Sequence, residues 1–175
     1  MFRTEIVTEK SEVMQQIDPL YLRAFPENER RPLGPLLRDH SGNSSFLAFY
    51  DDDTFCGFAC IMRWKDISHI IYITTEEDLR GHHYGSLALQ AMHKHWPEDR
   101  FIVDIESDRP DAPNAEQRRL RRHFYMQNGY RSTPVHYPWR GEDYDILAYN
   151  GTISSQEFQD FWHFFDVHVP ALANY

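Results

Sequence analysis

Alternation of apolar and polar residues, with many β-branched and aromatic side chains, predicts seven β-strands. They cover residues 2–7, 45–50, 54–64, 68–75, 101–106, 130–139 and 142–150. The acidic triplet Asp51–Asp53 between the second and third strands indicates a hairpin turn, and Gly141 marks the turn between the last two. The predicted strands are therefore spread along the first 150 residues.

Helical spacing of apolar residues fills two of the gaps between strands. Ser11 can cap a first helix that runs toward Ile17, and Pro19 is expected to disturb it. A second helix covers residues 86–96 and ends before a proline. Between the first helix and the second strand, residues 25–35 contain three prolines, which predicts an irregular segment of fixed shape.

A further helix is predicted between the fifth and sixth strands. Asn114 begins it, with Gln117 at the spacing of a capping box. Leu120 and Phe124 give this helix an apolar stripe, and the pair Asn128–Gly129 ends it. We expect the apolar stripe to face the sheet.

The tail, residues 151–175, predicts one more helix. Ser154 and Glu157 have capping-box spacing. Four aromatic residues then recur at helical spacing: Phe158, Phe161, Trp162 and Phe165. We expect residues 1–150 to form one mixed α/β domain and the tail to pack on it. The aromatic residues would cover the sheet or pack against a second subunit, which leaves a homodimer as an open alternative.

Composition and charge narrow the functional classes. The chain has 175 residues, 41% of them hydrophobic, and a formal net charge of -9, which suits one folded domain and argues against duplex nucleic acid as a partner. No apolar run reaches the length of a membrane span, and the first residues show no signal-peptide pattern. We therefore expect a cytoplasmic protein that binds neither nucleic acid nor a membrane. Cys56 and Cys60 lie too far apart along one strand to pair easily, so free buried thiols are expected.

The ten histidines do not form a recognisable metal site. His93 and His95 are two positions apart on a predicted helix, so they do not share a face. The chain contains neither a His-Glu-x-x-His pattern nor paired cysteine clusters, and it lacks the Gly-x-Ser-x-Gly elbow of serine hydrolases. We expect no metal and no serine nucleophile.

One segment has a defined ligand chemistry. Residues 80–86 read Arg-Gly-His-His-Tyr-Gly-Ser and join the predicted strand 68–75 to the helix that follows. The first N–H groups of a helix lack intrahelical partners and its dipole is positive there, so a glycine-bearing turn at this point can bind a pyrophosphate. The alternative is an ordinary turn in which glycine only tightens the chain.

Two motifs resemble the GNAT superfamily of acyl-CoA-dependent N-acetyltransferases. Arg80 and Gly85 match its Arg/Gln-x-x-Gly-x-Gly/Ala turn, and residues 124–130, Phe-Tyr-Met-Gln-Asn-Gly-Tyr, match its Phe-Tyr-x-x-x-Gly-Phe/Tyr segment. The middle glycine of the first motif is replaced by His83, whose side chain would crowd the phosphates, point outward or pair with the anion. The resemblance covers roughly residues 1 to 150 and implies a central mixed, mostly antiparallel sheet flanked by helices.

The resemblance also implies acetyl-CoA as the donor and a site to hold it. Its pantetheine arm would run along the fourth strand where that strand separates from the fifth, and its pyrophosphate would meet the glycine turn. The implied donor residues are Ile73, Thr74, Thr75, Arg80, Gly81, His82, His83, Tyr84, Gly85 and Ser86. Of the arginines at 118, 119, 121 and 122, some would serve the adenosine phosphate and the rest would be solvated.

Acetyl transfer to an amine needs a base and an acid. Tyr125 matches the family tyrosine near the donor sulfur and is the candidate acid; the alternative is a core aromatic. Glu106 ends a strand beside the predicted separation and is the preferred base, because partial desolvation there would raise its pKa. Glu76 and Glu77 are alternatives, and each carboxylate can equally be a solvated charge at a strand end.

We expect the segment after the first helix and the last hairpin to form the acceptor site. The candidates are Phe25, Glu27, Glu29, Arg30, Arg31, Tyr137 and Trp139. The glutamates would hold a cationic amine and the arginines a carboxylate, although loop-stabilising ion pairs are the alternative. The predicted function is direct acetyl transfer from acetyl-CoA to a small primary amine. The rival is a noncatalytic acyl-CoA sensor on the same scaffold.

Overall fold

Seven strands form one mixed sheet in the order β1-β2-β3-β4-β5-β7-β6. The structure is a computed structural model that describes residues 1–173. The strands are β1 (Phe2–Ile6), β2 (Ser44–Asp51), β3 (Thr54–Trp64), β4 (Ile67–Thr75), β5 (Arg100–Glu106), β6 (Arg131–Trp139) and β7 (Glu142–Tyr149). The helices are α1 (Met14–Ala24), α2 (Gly34–Leu37), α3 (Tyr84–His95), α4 (Ala115–Gln127), α5 (Ser155–His168) and α6 (Pro170–Ala173). The predicted mixed, mostly antiparallel sheet flanked by helices is confirmed.

The sheet opens at its centre, where the two parallel strands β4 and β5 separate. Their pairing runs from Ile67 opposite Arg100 to Ile70 opposite Val103. Beyond that point β4 continues to pair with β3 alone, and β5 with β7 alone. A bulge at Ile71 bends β4 there. The separation leaves a wedge-shaped opening in the middle of the sheet.

Helices cover both faces of this sheet. Helices α1, α2 and α5 pack on one face, in a cluster that includes Phe58, Met62 and Ile102. Helices α3 and α4 pack on the other, in a cluster that includes Ile61 and Val103. Alternating residues of β5 therefore point to opposite clusters, as the period of a strand buried on both sides requires.

Pro19 lies inside α1, which corrects the expectation that it disturbs the helix. Burial of Ile17 and Leu20 on either side holds the helix together despite the missing N–H. Ser11 does not cap α1; its hydroxyl accepts a hydrogen bond from the Thr8 amide at 2.9 Å.

Helix α4 differs from its prediction in which side chains it buries. Leu120 is 60% exposed, whereas Arg118 and Tyr125 are buried. Asn114 is the N-cap residue, but its side chain makes no capping hydrogen bond because it binds Glu106 instead. Tertiary ion pairs therefore outweigh the apolar stripe in orienting this helix.

The tail packs on the sheet through α5. Its capping box of Ser154 and Glu157 is present as predicted. Phe158, Phe161 and Phe165 are buried in the same cluster as α1 and α2. Within residues 1–173, no helix combines the length and the apolar character needed to cross a membrane.

Candidate active site

A cleft of about 500 Å³ lies beside the end of β4 and the start of α3. Nine of the ten predicted donor residues line it: Ile73, Thr74, Thr75, Arg80, Gly81, His83, Tyr84, Gly85 and Ser86. His82 does not line it; its ring stacks on Tyr84 with the centroids 5.8 Å apart. We call this space the donor cleft. Helix α3 begins at Tyr84, two residues earlier than predicted, so its first turn lies within the cleft.

His83 takes the backbone conformation that a glycine would have. It is the N-cap of α3, with φ 61 and ψ 15 in the left-handed region. Its carbonyl accepts the first intrahelical hydrogen bond, from Leu87 at 3.0 Å. The amides of residues 84–86 therefore precede the first intrahelical donor and face the anion-binding end of the helix dipole. Histidine at the position of the motif's middle glycine therefore keeps the turn, at a cost of about 1 kcal/mol in backbone strain.

Two glycines allow close approaches that shape the donor cleft. A Cβ on Gly85 would lie 3.1 Å from the ring of Phe124 on α4. A Cβ on Gly57 of β3 would lie 2.2 Å from the carbonyl oxygen of Thr74, and Gly57 has a φ of 155. Gly57 was missed by the sequence analysis because its partner strand and register were unknown.

A second cleft, of about 520 Å³, opens on the other side of the strand separation. Five of the predicted acceptor residues line it: Phe25, Glu29, Arg31, Tyr137 and Trp139. Glu27 and Arg30 do not. The sequence analysis missed a larger set: Tyr72, Asp104, Tyr144, Phe158, Trp162 and Asp166. We call this space the acceptor cleft. Two sequence signals were available. The alternation of residues along β5 pointed to Asp104, and the aromatic spacing along α5 pointed to Phe158 and Trp162.

Tyr125 lies where the two clefts meet and lines both. Its side chain is 6% exposed, and burial raises its pKa to about 12. None of the hydrogen bonds in the described part of the chain uses its hydroxyl. A phenol with this pKa stays protonated at neutral pH, as a proton donor must.

Glu106 lines the acceptor cleft and is bound by three polar side chains. Arg121 donates to it at 3.0 Å, Asn114 donates at 3.1 Å, and the buried Arg118 lies 3.4 Å away. Two guanidinium groups therefore balance its charge within the protein.

Three of the four α4 arginines pair with carboxylates of the sheet, which corrects the expectation of solvation for them, whereas Arg119 is exposed as expected. Arg118 also donates to Glu142, and Arg122 pairs with Asp145. Arg121 reaches both clefts, whereas Arg119 is exposed and lies near Glu116. Arg118, Arg121 and Arg122 thus link α4 to β5 and β7.

Glu29 is the acceptor-cleft carboxylate with a raised pKa. Burial is the main cause, and the like charge of Glu106 adds to it. The Tyr144 hydroxyl donates a hydrogen bond to Glu29 at 3.4 Å. Arg31 stacks over Trp139 nearby, with its guanidinium carbon 4.4 Å from the ring centroid. The alternative bases Glu76 and Glu77 line neither cleft; they pair with Arg23 and with Arg80, respectively.

The cysteines are unsuited to nucleophilic catalysis. Cys56 and Cys60 are free and buried, as expected. Burial raises the pKa of both thiols, which disfavours the reactive thiolate. Among residues 1–173, no cluster of three or more histidine, cysteine or acidic side chains is arranged to hold a metal ion.

Solved structures with the same fold include proteins with coenzyme A or acetyl-CoA bound. A GNAT-family protein from Bacteroides thetaiotaomicron is 20% identical with a TM-score of 0.75, covering 97% of this chain and 99% of that chain. An aminoglycoside 6'-N-acetyltransferase complexed with coenzyme A is 14% identical with a TM-score of 0.65, covering 83% and 95%. A GNAT-family acetyltransferase from Elizabethkingia anophelis with acetyl-CoA bound is 12% identical with a TM-score of 0.56, covering 85% and 97%.

Sequence comparison gives the family. No curated protein matches the chain. The family model described as the acetyltransferase (GNAT) family matches residues 14–130. Because that match spans more than half of the chain and includes both motifs that carry the resemblance, this chain belongs to the GNAT family of acetyltransferases.

Proposed function

We propose that the protein transfers an acetyl group from acetyl-CoA to a primary amine by direct attack of the amine nitrogen. The observation that carries this proposal is the position of Tyr125, which lines both the donor cleft and the acceptor cleft. A thioester in one cleft and an amine in the other would meet at that residue. The raised pKa values of the two cysteine thiols favour direct transfer over an acyl-enzyme.

The donor cleft fits coenzyme A in its chemistry. The amides of residues 84–86 at the start of α3 suit a pyrophosphate, and Arg80 adds a cationic side chain beside them. The end of β4, at Thr74 and Thr75, lacks a β5 partner and offers backbone groups to the pantetheine amides. Acetyl-CoA supplies the activated acetyl group at the Tyr125 end of this cleft.

The chemistry requires two proton transfers. An alkylammonium has a pKa of about 10.4, so at pH 7 its deprotonation costs roughly 4.6 kcal/mol. In the proposal Glu29 accepts that proton, because its raised pKa makes it a stronger base than an ordinary glutamate. The nitrogen then forms the N–C bond, and Tyr125 protonates the sulfur as the C–S bond breaks. The second nitrogen proton leaves through solvent and restores the Tyr125 phenol. Glu106, the base predicted from sequence, is a weaker candidate because two guanidinium groups already bind it.

The acceptor cleft suits a cation with an apolar or aromatic body. Its wall contains eight aromatic residues, Phe25, Tyr72, Tyr125, Tyr137, Trp139, Tyr144, Phe158 and Trp162, together with the carboxylates of Glu29, Asp104, Glu106 and Asp166. Aromatic faces and carboxylates both attract an ammonium group. The acceptor class proposed is therefore a primary amine on an aryl or alkyl chain.

An amine panel tests the proposal. The protein is incubated with acetyl-CoA and 2-phenylethylamine, spermidine, lysine, an aminoglycoside or a peptide with a free N-terminus, and thiol release is followed. The proposal expects the highest kcat/KM with 2-phenylethylamine. Calorimetric binding of coenzyme A without turnover of any amine would favour the noncatalytic sensor instead. Absence of coenzyme A binding would reject both.

A further inference from the structure

A fully buried histidine lies beneath the acceptor cleft. His69 of β4 has a side-chain exposure of 0%, and its Nε2 lies 2.9 Å from Oδ1 of Asp104 on β5. Its Nδ1 is buried and finds no hydrogen-bond partner among residues 1–173. Asp104 is 28% exposed and lines the acceptor cleft. The imidazole thus has one polar contact, and that contact is a carboxylate of the cleft.

The tautomer of His69 follows from these two contacts. If Nδ1 carried the proton, a buried N–H would lack an acceptor, and the Nε2 lone pair would face the Asp104 carboxylate. A proton on Nε2 instead makes a charge-assisted hydrogen bond to Asp104. We therefore assign a proton to Nε2, which donates to the carboxylate, and leave Nδ1 as an unpaired acceptor.

The surroundings of His69 would suit an apolar side chain better. Phe158, Phe161 and Trp162 of α5 hold its ring edge-on or tilted, with centroid distances of 5.5 to 6.1 Å. An unpaired polar atom in such a place costs about 1–3 kcal/mol. The fold gains little from a histidine here, so its contribution lies in what it does to Asp104.

Asp104 and Glu106 differ in the groups that contact them. The hydrogen-bond partners of Asp104 are His69 and the Tyr137 hydroxyl, whose pKa is raised by burial and by the neighbouring Asp104. Glu106, two residues further along β5, is balanced by two guanidinium groups. Arg31 is the cleft guanidinium whose charge acts on Asp104. An ammonium group entering the cleft therefore finds at Asp104 a partly exposed carboxylate that His69 orients.

We propose that Asp104 binds the ammonium group of the acceptor amine and that His69 is a positioning residue which fixes that carboxylate. This inference rests on the proposed function and adds a division of roles to it. Asp104 holds the cationic amine, while Glu29 removes its proton. Helix α5 takes part by enclosing the imidazole and so keeping the hydrogen bond between His69 and Asp104 out of water.

Three variants test this assignment: Asp104→Asn, His69→Leu and His69→Gln. Asp104→Asn should raise the KM for the best amine about 10- to 100-fold, as expected for loss of a hydrogen bond to a charged group, with a smaller change in kcat. His69→Leu should raise KM about 10-fold without lowering Tm, because it removes the unpaired nitrogen. His69→Gln should restore most of the loss, since the glutamine amide can donate from nearly the position of Nε2.

The variant results separate the inference from the proposed function. Calorimetry with coenzyme A should give the same donor affinity in all three variants and so control for folding. An active wild type whose amine KM is unchanged in His69→Leu would overturn the inference alone. Equal losses in His69→Leu and His69→Gln, together with a lower Tm, would also overturn it, because they indicate a structural role. A wild type that binds coenzyme A and acetylates no amine would overturn the proposed function.

Discussion

Ile70 of β4 and Val103 of β5 form the last pair of the parallel ladder, and both line the acceptor cleft. The donor cleft begins further along β4, at Ile73. Since the strands part beyond Ile70, backbone groups at the end of β4 are available to a ligand. The side chains that follow on β5, at Asp104 and Glu106, face the acceptor cleft. One break in pairing thus exposes both a backbone edge and two carboxylates, which the proposed function assigns to the donor and to the acceptor.

Removing the Tyr125 hydroxyl should abolish turnover and leave donor binding intact. In Tyr125→Phe we expect kcat to fall by about 100-fold or more, as for loss of a general acid, with coenzyme A affinity within about twofold of wild type. Initial rates of thiol release and calorimetry measure the two quantities.

Tyr130→Phe is the matched control for Tyr125→Phe. Tyr130 is fully buried, lines neither cleft, and its hydroxyl lies 3.0 Å from His93 Nε2. It should cost about 1 kcal/mol of stability and leave kcat unchanged. Full activity in Tyr125→Phe would remove the proposed acid.

A side chain at Gly57 of β3 should displace the β4 backbone that lines the donor cleft. The Cβ of Gly57→Ala would collide with the backbone of Thr74 and Thr75, which β3 approaches closely. We expect a loss of roughly 2–4 kcal/mol in unfolding free energy and weaker coenzyme A binding. Gly42→Ala is the control, because Gly42 also has a positive φ, of 78, yet a Cβ there meets nothing within 4 Å. Equal effects of the two substitutions would show that backbone strain alone matters.

Stability should fall on mild acidification because of His93. Burial lowers its pKa from 6.5 to about 4 in the folded protein. Below pH 6.5 His93 becomes protonated in the unfolded chain but stays neutral in the folded protein, which favours unfolding. The full unfolding free energy is therefore present above pH 6.5, and part of it is lost as the pH falls toward 4. Between pH 7 and pH 5 this group alone should remove about 2 kcal/mol.

The His93 effect can be isolated by substitution. His93→Phe keeps a ring against Tyr149, on which His93 stacks at a centroid distance of 3.6 Å. Urea unfolding at pH 5, 6 and 7 should then show a shallower pH dependence than the wild type. Parallel curves for the two proteins would contradict the assignment.

Replacing His83 separates backbone conformation from side-chain chemistry. His83→Gly relieves about 1 kcal/mol of strain in the left-handed backbone, but glycine also raises the conformational entropy of the unfolded chain. The unfolding free energy of the variant should therefore rise by less than the relieved strain. His83→Ala keeps the strain and should not be stabilised. Coenzyme A affinity at pH 8 should be the same in both and in wild type, because the proposed pyrophosphate site consists of backbone amides. A loss of affinity shared by both variants would assign a phosphate contact to the imidazole.

Most residues that line the donor cleft could be named from sequence, because the signals for them are local. The glycine turn, the helix after it and the Tyr125 segment each lie within a few consecutive residues. The contacts of the acceptor side are long-range: His69 and Asp104 are 35 positions apart, and Tyr144 and Glu29 are 115 apart. Such pairs depend on strand order and register, which residue patterns do not specify.

The expectation that some α4 arginines are solvated was wrong for Arg118 for a related reason. Four arginines on one helix predict solvation when only helix geometry is considered. Arg118 is nevertheless 4% exposed, because Glu106 and Glu142 on neighbouring strands enclose it. Ion pairs with residues distant in sequence decide which face of α4 is inward.

Phe158, Trp162 and Asp166 come from α5, which lies beyond residues 14–130 where the family model matches. In the proposed function, a wall of the amine compartment therefore comes from a segment separate from the part that would bind the nucleotide. On that proposal, exchange of this one helix among related chains would change amine preference and leave the thioester site unchanged.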